Sequence, residues 1–489
     1  MNKVANNPQS RLTEECTPDA AASFRDPAGR LWQQDGRILR QVRREAQADL
    51  AQFLASPIAQ QLTAEGRLVR TERLDFSGFP QDGEEAQRSD DVWYEHERIP
   101  FASFPYEWPP EMLHAAGRLT LEMARSLLRY GMGLKDGTPY NVLFRGPKPV
   151  FVDVLSVEKR APGDPTWLPY AQFVRTFLLP LAVNRDFGLS LAELLSVRRD
   201  GLEPETVYNW LGMLQKVRSP YLTLVSIPAR LGRSARTQEG GIYQQRLLND
   251  PERAQFVVET LLKGLQKHLR RLEPGREKHS LWSDYMQAHS YGHDDFAAKE
   301  EFVSECLAEF APASVLDAGC NNGHFSAMAA RAGARVVAID YEEAVVGMVW
   351  RRAVAEGLDI LPLVVNLTRP TPAMGWRNRE SSSFLERARA GFDAVFMLAL
   401  IHHMLVSERI PLPEIVELAS ELTTNLAIVE YVSPEDAMFR RLARGREHLH
   451  QDLTEESFER ACQKHFEIVR SRPLLEGRRR VYLLKKRAF

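Results

Sequence analysis

Chemistry concentrates first in residues 314–330, SVLDAGCNNGHFSAMAA. The apolar pair Val315-Leu316 runs into Asp317, Gly319 and Gly323 follow, and a small-residue amphipathic segment begins. This pattern predicts a strand, a tight turn and a helix start, with which α/β proteins hold nucleotides because a helix N-terminus offers free N–H donors. Two nucleotide loops do not fit. A dinucleotide G-x-G-x-x-G counted from Gly319 needs glycines at 321 and 324, which are Asn321 and His324. A phosphate loop, G-x-x-x-x-G-K-[ST], needs a Lys-Ser or Lys-Thr pair that this stretch lacks.

A third pattern does fit, the S-adenosylmethionine (SAM) loop D/E-x-G-x-G-x-G. Asp317, Gly319 and Gly323 match it, and Asn321 stands at the middle glycine. Asn is the next most tolerant residue for a positive-φ turn. A carboxylate at the strand end suits a ligand that carries an ammonium and a sulfonium. Asp340, closing RVVAID, can hold both ribose hydroxyls by charge-assisted hydrogen bonds. On these residues the chain from about 280 to 489 resembles the class I SAM-dependent methyltransferases. The resemblance implies an α/β, Rossmann-like seven-stranded sheet in the order 3-2-1-4-5-7-6 and SAM as cofactor. It implies cofactor contacts at Gly319, Gly323 and Asp340, with Asp317 and Asn321 shaping the loop. The end of the third strand, Asn366-Leu367, falls where the superfamily often has an acid near the adenine, and an amide can serve that edge too. Upstream, SYGHDDFAAKEEFV resembles the helix that covers the methionine end of SAM, which makes Tyr291 and Lys299 candidates there. His289 and His293 stand four apart with no third ligand nearby, so no metal site is expected.

Methyl transfer from a sulfonium is an in-line displacement, so the enzyme must align the acceptor and, for O–H or N–H⁺, remove a proton. In this fold the acceptor lies beyond the carboxyl ends of strands 4 and 5. Strand 4, FDAVFMLAL, runs into Ile401-His402-His403-Met404, which resembles the L-x-H-H stretch of many small-molecule methyltransferases. His402 and His403 are the candidate bases, His402 slightly favoured. Strand 5, LAIVEYV, ends at Glu430, whose burial is costly without a partner, so it binds acceptor or braces the histidines. The long loop NLTRPTPAMGWRNRE offers Trp376 and Arg377 as a possible cover.

The first half carries a different echo. GLKDGTPYNVLFRGPKPVFVDVLSVEK sets Asp136 and Asn141 at the Asp-x4-Asn spacing of a kinase catalytic loop, and Asp153 follows an apolar strand like the metal-binding aspartate of kinases. Residues 25–275 therefore weakly resemble the protein-kinase-like fold. No Gly-rich loop precedes the motif and residues 4–134 contain no lysine, so the lysine that grips ATP phosphates is missing; Arg40, Arg43 or Arg44 substitutes imperfectly. The combination resembles large bacterial methyltransferases related to a host-specificity nodulation protein. A phosphotransferase using Asp136, Asn141 and Asp153, or a non-catalytic scaffold on the SAM fold, are the alternatives to a methyltransferase.

The elements that must position these residues follow from periodicity. Residues 1–24 are polar and read as a disordered N-terminus, 25–275 as an accessory α+β domain, and 276–489 as the methyltransferase domain. A hairpin turning at Asp35-Gly36, one helical segment over EAQADLAQFLASPIAQQLTAEG and a long helix near 110–130 are expected early. Strands are expected at 313–317, 334–339, 360–365, 392–397, 425–430, 466–470 and 480–485, the last pair a hairpin. The basic flanks of the last strand, in GRRRVYLLKKRAF, read as solvated strand ends. At 489 residues, 44% hydrophobic and net charge −2, the chain has no global charge that would draw nucleic acid or an anionic membrane. Four scattered cysteines argue against a disulfide framework, and no apolar run reaches membrane-spanning length. The expected setting is cytoplasmic and the expected partner a small-molecule or glycan acceptor.

Overall fold

The computed structural model describes residues 25–74, 91–235, 247–275 and 293–487. Its first half opens on a four-stranded antiparallel sheet, β1 (Gly29–Gln34), β2 (Arg37–Val42), β3 (Thr71–Leu74) and β4 (Val92–His96), in the order β1-β2-β4-β3. Asp35 and Gly36 turn β1 into β2 with φ of 49° and 76°, the two left-handed positions of a two-residue hairpin loop. The helical segment expected after β2 is two helices, Arg44–Leu54 and Pro57–Ala64. Pro57 has no N–H to continue the first helix, and Ser56 caps the second by accepting from the Ala59 amide. The long helix spans Pro110–Leu128. Beyond it come the pairs β5 (Met132–Leu134) with β8 (Val157–Lys159) and β6 (Val142–Arg145) with β7 (Lys148–Phe151), then a helical stretch ending in Pro251–Arg271.

The second half is one seven-stranded sheet. Its strands are β9 (Ser314–Ala318), β10 (Arg335–Asp340), β11 (Ile360–Val364), β12 (Phe392–Met397), β13 (Thr423–Val432), β14 (Phe466–Leu474) and β15 (Arg479–Lys486), in the order β11-β10-β9-β12-β13-β15-β14. The first five run parallel, joined through helices, and β15 lies antiparallel between β13 and β14. The period of two divides the strands between two cores. Val315, Val336, Ala338 and Phe396 pack with the His293–Phe310 helix on one face. Leu316, Ile339, Leu363 and Met397 face the other way and belong to a core that continues into Trp108, Leu113 and Phe177 of the first half.

The two halves are also tied by polar contacts. The Glu107 carboxylate, fully buried, receives Arg387 and the Thr371 hydroxyl, and Arg387 lies against the rings of Phe101, Phe104 and Phe384. Glu111 pairs with Arg351, Arg199 with Glu380 (2.7 Å), and Asn184 donates to Glu343 (2.6 Å). The long loop after β11 is thereby bound to the first half. Its Trp376 is 62% exposed and outside the cavity described below, so it does not cover that site.

Removing one partner of a buried ion pair strands the other charge, which costs about 3–5 kcal/mol. Arg387→Met is expected to lower unfolding stability by about 3 kcal/mol. Denaturant titration would show it, and a midpoint within error of the parent would remove this pair as a tie between the halves.

Candidate functional site

The turn after β9 is built from three left-handed residues, Gly319 (φ 73°), Asn321 (φ 49°) and Gly323 (φ 71°). Asn321 thus adopts the conformation its place in the pattern demands, and its side chain stabilises it: Oδ1 accepts from the Asn322 amide at 2.7 Å. Asn322 Oδ1 accepts in turn from the His324 amide (3.2 Å), where the His324–Arg331 helix starts. Gly323 is required twice over, because a Cβ there would meet both Val349 methyls at 2.9 Å. Behind the turn, the buried Asp317 accepts from the Ser326 hydroxyl (2.5 Å). Burial pushes its carboxyl up to about 6, against the opposing pull of Ser326 and Lys299.

A cavity of about 380 Å³ opens at the carboxyl ends of β9, β10, β11 and β12. Gly319, Asn321, Asp340, Asn366, Leu400 and His403 are on its wall. Asp340 Oδ2 accepts from the Asn321 amide and Oδ1 from the Glu342 amide, both at 3.1 Å. Those bonds hold the carboxylate against burial, which raises its pKa. Asn366 Oδ1 accepts from the Thr368 amide (3.0 Å) and hydroxyl (2.6 Å), which fixes the amide's orientation. Ala399, with φ 55°, turns the chain from β12 so that Leu400 and His403 reach the wall.

His402 sits behind the wall, 2% exposed, its ring centroid 4.3 Å from that of His403 and its Nδ1 buried without a partner. Burial first, then the neighbouring His403, Arg479 and Lys299 charges, keep His402 well below its ordinary pKa; burial and Arg479 lower His403. Both rings are therefore neutral at pH 7.

Next to the histidines four charged side chains form a buried ladder. Lys299 on the His293–Phe310 helix reaches Glu430 of β13 (2.5 Å), Glu430 faces Arg479 of β15 (3.5 Å), and Arg479 pairs two-handedly with Asp436 (2.8 and 3.0 Å). Glu430 is 0% exposed and Arg479 2%. The solvated role expected for the basic flank of the last strand is therefore wrong for Arg479, because two carboxylates upstream enclose it. Asp436 also accepts from the Met438 and Phe439 amides, so the ladder ends on the N-terminus of the Ala437–Ala443 helix.

The structure thus brings Gly319, Asn321, Asp340, Asn366 and His403 to one wall, sets Asp317 and Gly323 directly beneath it, and places Lys299, Glu430 and His402 in the packing behind. Tyr291 lies outside the described residues. Asp136, Asn141 and Asp153 gather elsewhere, around Ser156. Its hydroxyl accepts from the Asp136 amide (3.2 Å) and Asn141 Nδ2 (3.5 Å), while Arg40 approaches Asp153 (3.5 Å) and Asp26 (3.2 Å). Tyr341 and Met404 of the cavity wall carry no sequence signal beyond adjacency to Asp340 and His403, whereas Leu400 is the leucine of the L-x-H-H stretch. Among the described residues no group of three or more His, Cys, Asp or Glu is placed to hold a metal ion, and no helix is long and apolar enough to cross a membrane.

Gly323→Ala should destabilise the fold by about 2–4 kcal/mol, combining left-handed strain with overpacking. Val349→Ala in the same chain should recover the steric share but not the strain; denaturant midpoints of the four-member cycle would measure both, and a neutral Gly323→Ala would overturn the assignment.

Residues 291–476 match the family described as Methyltransferase domain. The nodulation protein NoeA of Rhizobium meliloti (strain 1021) is 30% identical over 473 residues, covering 95% of this chain and 96% of its own length. Among solved structures, the N-methyltransferase NodS from Bradyrhizobium japonicum WM9 is 13% identical over 40% of this chain and 98% of its own, with a TM-score of 0.29. The magnesium protoporphyrin IX methyltransferase ChlM from Synechocystis PCC 6803 is 18% identical over 46% of this chain and 94% of its own, also with a TM-score of 0.29. Residues 291–476 thus carry a methyltransferase domain, and similarity over nearly the full length shows that the chain belongs to the family of the nodulation protein NoeA.

Proposed function

We propose that the cavity at the ends of β9 to β12 holds SAM, and that the enzyme methylates a small-molecule or glycan acceptor. The observation that carries the reading is the convergence of Gly319, Asp340, Asn366 and His403, from four separate strand ends, on one wall. The strand order β11-β10-β9-β12-β13-β15-β14 supports reading the sheet as a class I methyltransferase core, in which ligands bind outside the carboxyl ends where the order reverses.

The residues fit the cofactor. When bound, SAM supplies a methyl group on a positively charged sulfur. Asp340 accepts the Asn321 amide on Oδ2 and the Glu342 amide on Oδ1, and its carboxylate keeps lone-pair capacity for a ribose hydroxyl. The Asn366 carbonyl is engaged with Thr368, leaving the Nδ2 group as the donor for an acceptor nitrogen of the adenine. His403, neutral and on the wall, is the group placed to take a proton from the acceptor. His402 acts through His403 as a positioning residue, and the Lys299–Glu430–Arg479 ladder braces both.

A second reading, a phosphotransferase in the first half, draws on the gathering of Asp136, Asn141 and Asp153. The Arg40 guanidinium beside Asp153 counts against a cation there, since it already supplies the positive charge. Magnesium-dependent ATP binding by the full chain would favour this reading, and none would dismiss it.

Asp340→Ala should weaken SAM binding about tenfold, the loss of a hydrogen bond to a charged group at about 1.5 kcal/mol; unchanged affinity by calorimetry would remove Asp340 from the site. Asp317 gives a pH test. Its raised pKa means that the unliganded fold holds its proton up to about pH 6, whereas a cationic ligand favours the ionised form. Binding should therefore release a proton below pH 6, and affinity should rise with pH by up to about tenfold per unit before levelling above it. Asp317→Asn should flatten that profile, and an identical slope in the variant would assign the pH dependence to other groups.

A further inference from the structure

A second cavity, of about 390 Å³, adjoins the cofactor cavity, and Leu442 is on the wall of both. It lies between the segment after the Ile401–Val406 helix and the excursion that follows β13, so it flanks the end of the site where the fold presents acceptors. Its floor is aliphatic, with Leu405, Ile410, Leu412 and Leu453. Its rim is cationic: Arg409 and Arg446 line it, with Asp452 the one carboxylate among its lining residues.

Beside this cavity Arg369 meets the carboxylate of Glu408 and Arg480 meets that of Glu455. Neither Arg409 nor Arg446 meets one among the described residues, and Arg440, Arg441 and Arg444 on the same excursion are also exposed without a carboxylate partner. Arg409 is held at φ 57°, a backbone state unfavourable for an arginine and one that persists only where its surroundings impose it. The excursion itself is anchored. The Tyr431 hydroxyl donates to the Leu453 carbonyl (3.1 Å), and Asp436, at the end of the buried ladder, caps its helix. A cavity with a fixed aliphatic floor and unneutralised guanidiniums at its mouth is complementary to a ligand with an apolar body and an anionic head.

We propose that this cavity is the acceptor subsite and that the acceptor carries an anionic group, held by Arg409 and Arg446, on an aliphatic portion seated against Leu405, Ile410, Leu412 and Leu453. The proposal rests on the neighbouring cavity being the cofactor's. The test uses the full chain saturated with S-adenosylhomocysteine and titrated with octyl phosphate below its micellar concentration, followed by calorimetry. Octyl glucoside tests the apolar body alone and inorganic phosphate the head alone. Saturable binding of octyl phosphate is expected, at least tenfold tighter than either control, and weakened at least tenfold in Arg409→Glu/Arg446→Glu. Equal binding of octyl glucoside, or an unweakened variant, overturns the proposal. S-adenosylhomocysteine affinity is measured in parallel: its absence in the parent protein sinks the cofactor reading, whereas its presence without octyl phosphate binding sinks the subsite alone. Should the charge reversal also lose S-adenosylhomocysteine, Arg409→Gln/Arg446→Gln decides by the same tenfold criterion.

Discussion

Four charges taken out of water hold together the end of the sheet beside the two histidines. Lys299, Glu430, Arg479 and Asp436 come from a helix, the two adjacent strands β13 and β15 and the start of the excursion that walls the second cavity. Each alone would be costly to bury; alternated in sign and hydrogen-bonded, they offset one another's desolvation. Because every member sits on a different element, the ladder fixes the relative positions of all of them. Burial first, and then the Arg479 charge of the same ladder, keep both histidines neutral.

The cavity wall was legible in the sequence to the degree that backbone geometry constrains residue type. Glycine and asparagine are the residues a left-handed turn admits, so Gly319, Asn321 and Gly323 announced their conformation, and the seven apolar runs announced strands within one to four residues of their ends at most edges. The ladder was not legible. A basic residue flanking a terminal strand is usually solvated, and the partners of Arg479 stand 43 and 49 residues upstream, at separations no local pattern encodes. The same limit explains His402 and His403. Both occupy a short helix at the end of β12, and the rotation that puts one on the wall and the other behind it depends on Ala399 taking a positive φ, which its residue type does not advertise.

In the first half, the helix–strand punctuation was legible where proline and glycine set it, as at Asp35-Gly36. It was misread at Pro57, where apolar residues keep helical spacing straight through a break. The contacts of this half with the second were invisible for a different reason: Glu107 and Arg387 are 280 residues apart, and a lone acid in PYEW looks like any surface carboxylate. The long loop after β11 also has its explanation here. It binds the first half through Thr371 and Glu380 and leaves the cavity at the ends of β9 to β12 uncovered.

One core runs from Val42 through Trp108 to Leu316 and Leu484 without a break at the boundary that composition marks near 275. Joined domains pivot about a linker by default only when the surface between them is small and polar. Here the sheet face that carries Leu316, Ile339 and Leu363 shares its packing with the first half, so a hinge between the halves would have to expose that apolar face. Passage of ligands therefore falls to motions of local segments around the rim, while the first half serves as a fixed abutment against which those segments move.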